Sequence, residues 1–298
     1  MPLLEDALVN DLKPALLIGN GINRYGGSLD ASWEGLLKKL SGQQGLSLTE
    51  DEMREMSNTE FFDILDLSRP LEEKVSLQKT FCDLMTDWRP SAHHAKIVAW
   101  AKAKRAPIIT VNFDENLSRS VDAKFIRSNA GFTDYYPWSS YFSDQAIDTP
   151  RNSFAIWHAH GMMRYRRSIR LGLTHYMGAV QRARHWVYSG NGLRRSAKDQ
   201  TSTWRGADTW LDILFHSPLL IFGFGFGKDE NFFRWLFLER ARFHRMDESL
   251  RQPAWFIDVE NASNKHRRPF FERLGMQFVT VPTYSDIYDA SFWNTSST

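Results

Sequence analysis

The sequence is short of several things, and each shortage narrows what the chain can be. Its 298 residues hold one cysteine, Cys82, which excludes an internal disulfide and any zinc site built from several thiolates. Nowhere do 18 apolar residues run together, so no segment reads as a membrane-spanning helix. The opening MPLLEDALVNDLKP lacks the basic start and long apolar stretch of a secretory signal, and the expectation is a soluble, cytoplasmic protein. Excess charge is missing too: 37 Lys and Arg against 35 Asp and Glu leave a formal net charge of +2. That balance supplies no general basic field, so nucleic acid is not directly indicated as a ligand. The basic stretches RYRRSIR (164–170) and GLRRSAK (192–198) read as solvated loop faces.

What is present is the composition of a globular chain. Hydrophobic residues make up 42% and charged residues 24%, which excludes disorder as the dominant state. Eleven tryptophans and 21 phenylalanines imply a large core.

ALLIG (15–19) reads as a buried strand running into the glycine turn NGINRYGG and then the amphipathic SWEGLLKKL (32–40). Apolar residues at three-and-four spacing continue through 49–104, with Pro70 and Pro90 expected in the first turns of two helices. The block 40–104 is expected to be a helical insertion or cap within a single domain spanning 1–298. Strand-like runs return at PIITVNF (107–113), SFAIWHAHG (153–161), PLLIFGFGFG (218–227), PAWFIDVE (253–260) and MQFVTV (276–281), separated mostly by helix-like segments. Apolar strands alternating with helices predict an α/β, Rossmann-like, mostly parallel sheet with helices on both faces. Ligands of such sheets bind beyond the carboxyl ends of the strands.

Four strand ends carry unusual residues. The first is IGNGIN, where Gly19 and Gly21 allow close backbone approach, by a ligand or within a tight turn; Arg24 occupies the place of the third glycine of a G-x-G-x-x-G motif. The second is TVNFDENL, where Asn112 and Asp114 are predicted to point the same way; Asp114 can serve as a helix cap, while Asn112 needs buried partners or a ligand. The third is HAHG, where strand alternation predicts His158 and His160 on one face. They can be two ligands of a metal ion with His175 or His185 as third, a structural residue plus a catalytic one, or core filling. The fourth, FGFGFGKDEN, carries Gly223, Gly225 and Gly227 but departs from a P-loop at Phe222 and Asp229; Asp229 or Asn231 is expected to cap the next helix or touch a ligand.

Taken in order, these ends resemble the sirtuin-related (SIR2-like) family. The turn from Gly19 to Asn23 resembles its G-x-G-x-[S/N] turn, Thr110 to Asp114 its T-x-N-x-D motif, His160 its histidine before glycine, and GFGFGKDEN its later glycine turn. The four-cysteine zinc module of the protein-deacylating members is absent, and YGGSLDASWEGLL stands where they carry G-I-P-x-F-R. The resemblance is therefore to the zinc-free bacterial branch that hydrolyses NAD in antiphage defence. It implies NAD as substrate, no metal, and work as a homo-oligomer or beside a second defence-system subunit. By the same resemblance, His160 and Asn112 are the catalytic candidates, and Gly19, Asn20, Gly21, Asn23, Thr110, Asp114, Gly223, Gly225, Asp229 and Asn231 the NAD-binding ones. A protein deacylase or ADP-ribosyltransferase, and a non-catalytic nucleotide-binding module, are the alternatives carried forward.

The chemistry is consistent with that assignment. Breaking the bond from nicotinamide to ribose passes through an oxocarbenium-like centre, so the site must hold the ribose, admit water and take up one proton. A carboxamide such as Asn112 can orient water and ribose hydroxyls, and an imidazole such as His160 can accept the proton.

Overall fold

In the computed structural model, the described residues are 12–27, 31–46, 52, 55–70, 72, 75–127, 137–194, 203–227, 230–261 and 264–294. The chain begins with β1 (Ala15–Ile18) and α1 (Gly21–Arg24), followed by α2 (Trp33–Gln43), α3 (Asn58–Leu67), α4 (Leu77–Asp83) and α5 (Ala92–Lys104) before β2 (Ile108–Thr110). Then come α6 (Asn116–Arg119), β3 (Lys124–Ile126), β4 (Tyr141–Ser143), β5 (Ile156–His158), α7 (Leu173–Tyr188) and α8 (Trp210–His216). The last part alternates: β6 (Leu219–Phe222), α9 (Asn231–His244), β7 (Ala254–Val259), α10 (Asn264–Arg273), β8 (Gln277–Val281) and α11 (Ser285–Tyr288).

These strands form one sheet in the order β3-β4-β5-β2-β1-β6-β7-β8. The pairs from β5 to β8 are parallel, and β3 and β4 add an antiparallel edge. Counted by themselves in chain order, the parallel strands lie 3-2-1-4-5-6, so the winding reverses between β1 and β6. This is the doubly wound α/β, Rossmann-like arrangement, with its topological switch at the carboxyl ends of β1 and β6.

Alternate residues of the buried strands feed two cores. Leu17, Ile109, Trp157, Ile221 and Phe256 pack against α7, α8, α9 and α10, while Leu16, Ile18, Ile108, Ile156 and Phe222 pack against α5, α6 and the segment 287–293. Each large apolar side chain so buried contributes roughly 1.5–3 kcal/mol. A third cluster joins α2, α3 and α4 to Ile169 and Leu171. The 40–104 block thus divides: its helices up to residue 83 build this separate cluster, and α5 lies on the sheet as the crossover from β1 to β2.

Serines, not prolines, start the helices of this block. Ser57 makes a capping box with Glu60, and the Ser76 hydroxyl accepts from the Lys79 amide. Pro70 lies well ahead of Ser76, and Pro90 precedes Ser91, the residue before α5, so the expected first-turn prolines are both outside the helices. A hydroxyl satisfies a free helix amide, which a proline ring does not.

At the opposite end of the sheet, Arg240 on α9 is buried and donates to three carbonyls: Leu214 (2.8 Å), Ser217 (3.0 Å) and Gln252 (3.0 Å). Burial lowers its pKa to about 9.

Candidate functional site

The carboxyl ends of β1, β2, β5 and β6, four neighbouring strands, bring the turns 19–23, 110–114, 158–161 and 223–227 to one edge of the sheet. At the switch point the first and last of these turns bind each other. The Gly19 amide donates to Phe222 O (3.0 Å) and the Gly21 amide to Gly223 O (2.8 Å). A Cβ on Gly19 would stand 2.4 Å from Gly223 O, and one on Gly21 would stand 2.5 Å from the Tyr288 hydroxyl. Gly223 has φ +65°, so here glycine is required by both space and backbone. Tyr288 lies against this junction with its hydroxyl buried and unpartnered, a feature no sequence motif announces.

Gly225 is different. It is exposed, and nothing lies within 4 Å of its Cβ position, so within the protein itself a side chain has room there. The left-handed non-glycine residue of this turn is Phe226 (φ 45°), held by ring contacts to Phe237, Phe256 and Phe271.

Beneath α1 the predicted polar residues meet in one network. Asn23 Nδ2 donates to Asn20 Oδ1 (2.8 Å) and Asp114 Oδ2 (2.7 Å), and Asn20 Nδ2 to Ala31 O (2.5 Å). Asp114 Oδ1 accepts from the Asn116 amide (3.0 Å), and Asn23 Oδ1 from Asn116 Nδ2 (3.1 Å). Asp114 therefore closes a local turn ahead of α6 and ties it to α1. Its burial pushes the carboxyl pKa up, against these bonds.

Sequence reading missed His94. Its Nδ1 accepts the Ser91 amide (3.1 Å), so Nε2 carries the proton donated to Asn23 Oδ1 (3.1 Å). Burial lowers its pKa to about 3. The adjacent His93 donates to Ile22 O (2.7 Å). Only an i,i+3 relation to Ser91 marked His94 in the sequence.

Thr110, the last residue of β2, donates its hydroxyl to Ile18 O (2.9 Å) and accepts the Asn112 amide (3.1 Å). Asn112 is 5% exposed; its Nδ2 reaches Gly19 O at 3.4 Å, and its Oδ1 is buried with no hydrogen-bond partner.

The two histidines part company. His158 ends β5, stacks edge-on to Phe142 in the α5-side core and donates Nδ1–H to Asn112 O (2.8 Å). Burial lowers its pKa. His160 lies among Tyr176, Phe232 and Phe233, on the α7 and α9 side of the sheet. The expectation of one shared face fails because the strand stops at His158: Ala159 and His160 form a turn, closed by the Gly161 amide to His158 O (3.2 Å) with Gly161 at φ +92°. Alternation holds only while the backbone stays extended. Histidines on opposite faces cannot share one ion, and the further candidates are engaged elsewhere: His175 Nδ1 accepts the Gly172 amide, and His185 Nε2 lies 2.6 Å from Arg205. Among the described residues no group of three His, Cys, Asp or Glu is placed to hold a metal.

His160 has a partner that no motif predicted. Its Nε2 lies 3.1 Å from each carboxylate oxygen of Glu230, and its Nδ1 is buried without a partner. Glu230, 8% exposed, is also the N-cap of α9, accepting the Phe233 amide (3.4 Å). The cap expected at Asp229 or Asn231 is thus Glu230; Asn231 is the exposed first residue of α9, and Asp229 lies outside the described residues.

The stretch 164–170 is also less solvated than expected. Arg164 pairs with buried Glu115 (3.2 Å) and covers Phe125 and Phe142, Arg166 pairs with Asp83 (3.4 Å), and Arg170 is buried. Arg194 of the second basic stretch pairs with Glu239 (3.3 Å), and 195–198 lie outside the described residues.

No protein-family model matches the chain, and no curated protein matches it. No helix among the described residues is long and apolar enough to cross a membrane.

Proposed function

We propose that the protein is an NAD hydrolase of the SIR2-like kind, releasing nicotinamide and ADP-ribose. The observation that carries this reading is the 3-2-1-4-5-6 order of the parallel strands, with glycine turns meeting at the switch between β1 and β6. Dinucleotides bind at that point of such sheets. The unpartnered Oδ1 of Asn112 supports it, because a buried carboxamide oxygen without a donor suits a ligand hydroxyl or water.

In this reading Asn112 orients the ribose and the attacking water, and His160 accepts the water's proton. The Asn20–Asn23–Asp114–Asn116 network holds the first turn against β2. His160, Asn112 and Asp114 are each 5% exposed or less. This enclosure supports a resting state that opens on a trigger, which we assign to self-assembly or to a second subunit of a bacterial antiphage defence system.

Incubation of the purified protein with NAD, following nicotinamide and ADP-ribose by chromatography, tests the proposal with and without crosslinked or concentrated protein. Both products in equal amounts, without an acceptor, are the expected result. Nicotinamide release that depends on an acylated or acceptor protein means a deacylase or transferase instead, and binding without turnover means a nucleotide-binding module.

A further inference from the structure

We propose that Glu230 positions His160 for proton abstraction, holding the ring in the tautomer that carries its proton on Nε2 and leaving Nδ1 as the basic atom. The inference rests on the NAD-hydrolysis reading for its chemistry, and on geometry alone for the tautomer.

Both oxygens of Glu230 stand 3.1 Å from Nε2. An ionised carboxylate only accepts hydrogen bonds, so the proton of a neutral ring facing it belongs to Nε2. The other nitrogen, Nδ1, is buried and makes no hydrogen bond. A proton there would be a buried N–H with no acceptor, a rarer and costlier defect than a bare acceptor. The ring is also fixed in plane, by Tyr176 at 5.2 Å and by the edge-on Phe233 at 5.4 Å.

Glu230 is itself held. It starts a 14-residue helix and accepts the Phe233 amide. His160 follows β5 and Glu230 follows β6, two strands with β2 and β1 between them in the sheet. The pair therefore makes the turn after β6 a structural condition for the orientation of the histidine after β5. That gives the fourth strand end a role in the chemistry besides contact with a ligand.

Water attacks the ribose carbon that bears nicotinamide; the new bond is from water oxygen to that carbon, and the bond to the pyridinium nitrogen breaks. Its electron pair leaves with neutral nicotinamide, and the water's proton passes to His160 Nδ1 and then to solvent. Glu230 stabilises the transient imidazolium and takes no proton itself, as a carboxylate does for the histidine of a catalytic triad.

The test uses the full chain with 15N-labelled histidine. Long-range 1H–15N spectra of the wild-type protein and of Glu230→Gln, with the His160→Ala spectrum as the assignment, read the tautomer directly. Steady-state nicotinamide release and NAD affinity are measured on the same samples. We expect Nε2–H in the wild type. In Glu230→Gln the carboxamide can turn its NH2 toward Nε2, shifting His160 toward Nδ1–H; kcat then falls toward the ~100-fold loss expected for removal of the general base itself while NAD affinity stays within about two-fold. A wild-type His160 protonated on Nδ1 overturns the inference, even if the variant does not fold. So does unchanged kcat in a folded Glu230→Gln protein. Nε2–H in a wild type that releases no nicotinamide overturns the NAD reading and the catalytic role of Glu230 with it, leaving only the tautomer assignment.

Discussion

On the face of the sheet that carries His158, polar side chains are numerous and bind one another: Asn20, Asn23, Asp114, Asn116 and His94 form one connected network. On the face that receives His160, one imidazole and one carboxylate meet inside an aromatic shell. Networks spread the loss of any member over several remaining bonds, so they suit the fixing of a turn. An isolated pair has nowhere to redistribute a charge or a proton, so what happens at one nitrogen is felt at the other. In the proposed reading the difference separates a polar group that holds the fold from one placed to do chemistry, although both are histidines one alanine apart.

The largest effects are expected from removing each imidazole in turn. His160→Ala should lower nicotinamide release by about 100-fold or more, as expected for loss of a general base, with a cooperative melt retained. Asn112→Ala should behave similarly. His158→Ala should keep turnover and lose roughly 1–3 kcal/mol of stability, because it strips Asn112 O of its donor. Inactivation by His158→Ala without a drop in melting temperature would put the chemistry on the wrong face.

A second test contrasts glycines two residues apart in one turn. Gly223→Ala forces a left-handed backbone and a Cβ 2.6 Å from the Tyr288 hydroxyl; it should cost about 1–3 kcal/mol in urea unfolding. Gly225→Ala meets open space and should raise stability by about 0.4–1 kcal/mol. Any loss of NAD affinity in Gly225→Val, in an otherwise stable protein, then reports contact with ligand and not damage to the turn.

Acid tests the buried imidazoles directly. His94, with its pKa lowered to about 3, and His244, lowered to about 4, stay neutral when folded, and burial moves His158 in the same direction. Unfolded, each titrates near ~6.5. Above that pH they are neutral in both states and cost nothing; as pH falls below it the unfolded chain gains protons that the native state refuses, so stability declines toward pH ~4. Asp114, with its carboxyl pKa raised, acts in the opposite sense and offsets part of the decline at the acid end. His94→Asn should flatten the slope of unfolding free energy near pH 5 by up to ~1.4 kcal/mol per pH unit, measured by urea unfolding at a series of pH values. The smallest effect belongs to Tyr288→Phe: its hydroxyl has no partner, so removing it should leave stability within about 0.5 kcal/mol or raise it.

The strands were legible because burial on both faces writes an unbroken apolar run, and each predicted run contains a strand: 15–18, 108–110, 156–158, 219–222, 254–259 and 277–281. The short antiparallel strands β3 and β4 carry no comparable run and went unread. Helix starts were misjudged where proline was weighed above the serines that follow it. In the site, residues near strand ends were foreseeable because the fold delivers strand ends to one edge. Their partners were not. His94 comes from α5, and Glu230 is 70 positions from His160; such pairings depend on how helices settle on the sheet, which local periodicity does not encode. The side assigned to His160 was lost for a more local reason, a glycine turn that ends the two-residue repeat one step early.

Arg240 has a consequence for how the molecule comes apart. Its guanidinium clasps the end of α8, the turn before β6 and the entry to β7 in a single grip. None of the three segments can loosen alone without stranding a buried cation that has lost its carbonyls. They should therefore open as one unit, and the amides of these segments should exchange with solvent at a common free energy rather than fraying in sequence. The end of the sheet farthest from the proposed chemistry would then act as a clamp, leaving slow breathing to the edge that carries the four strand-end turns.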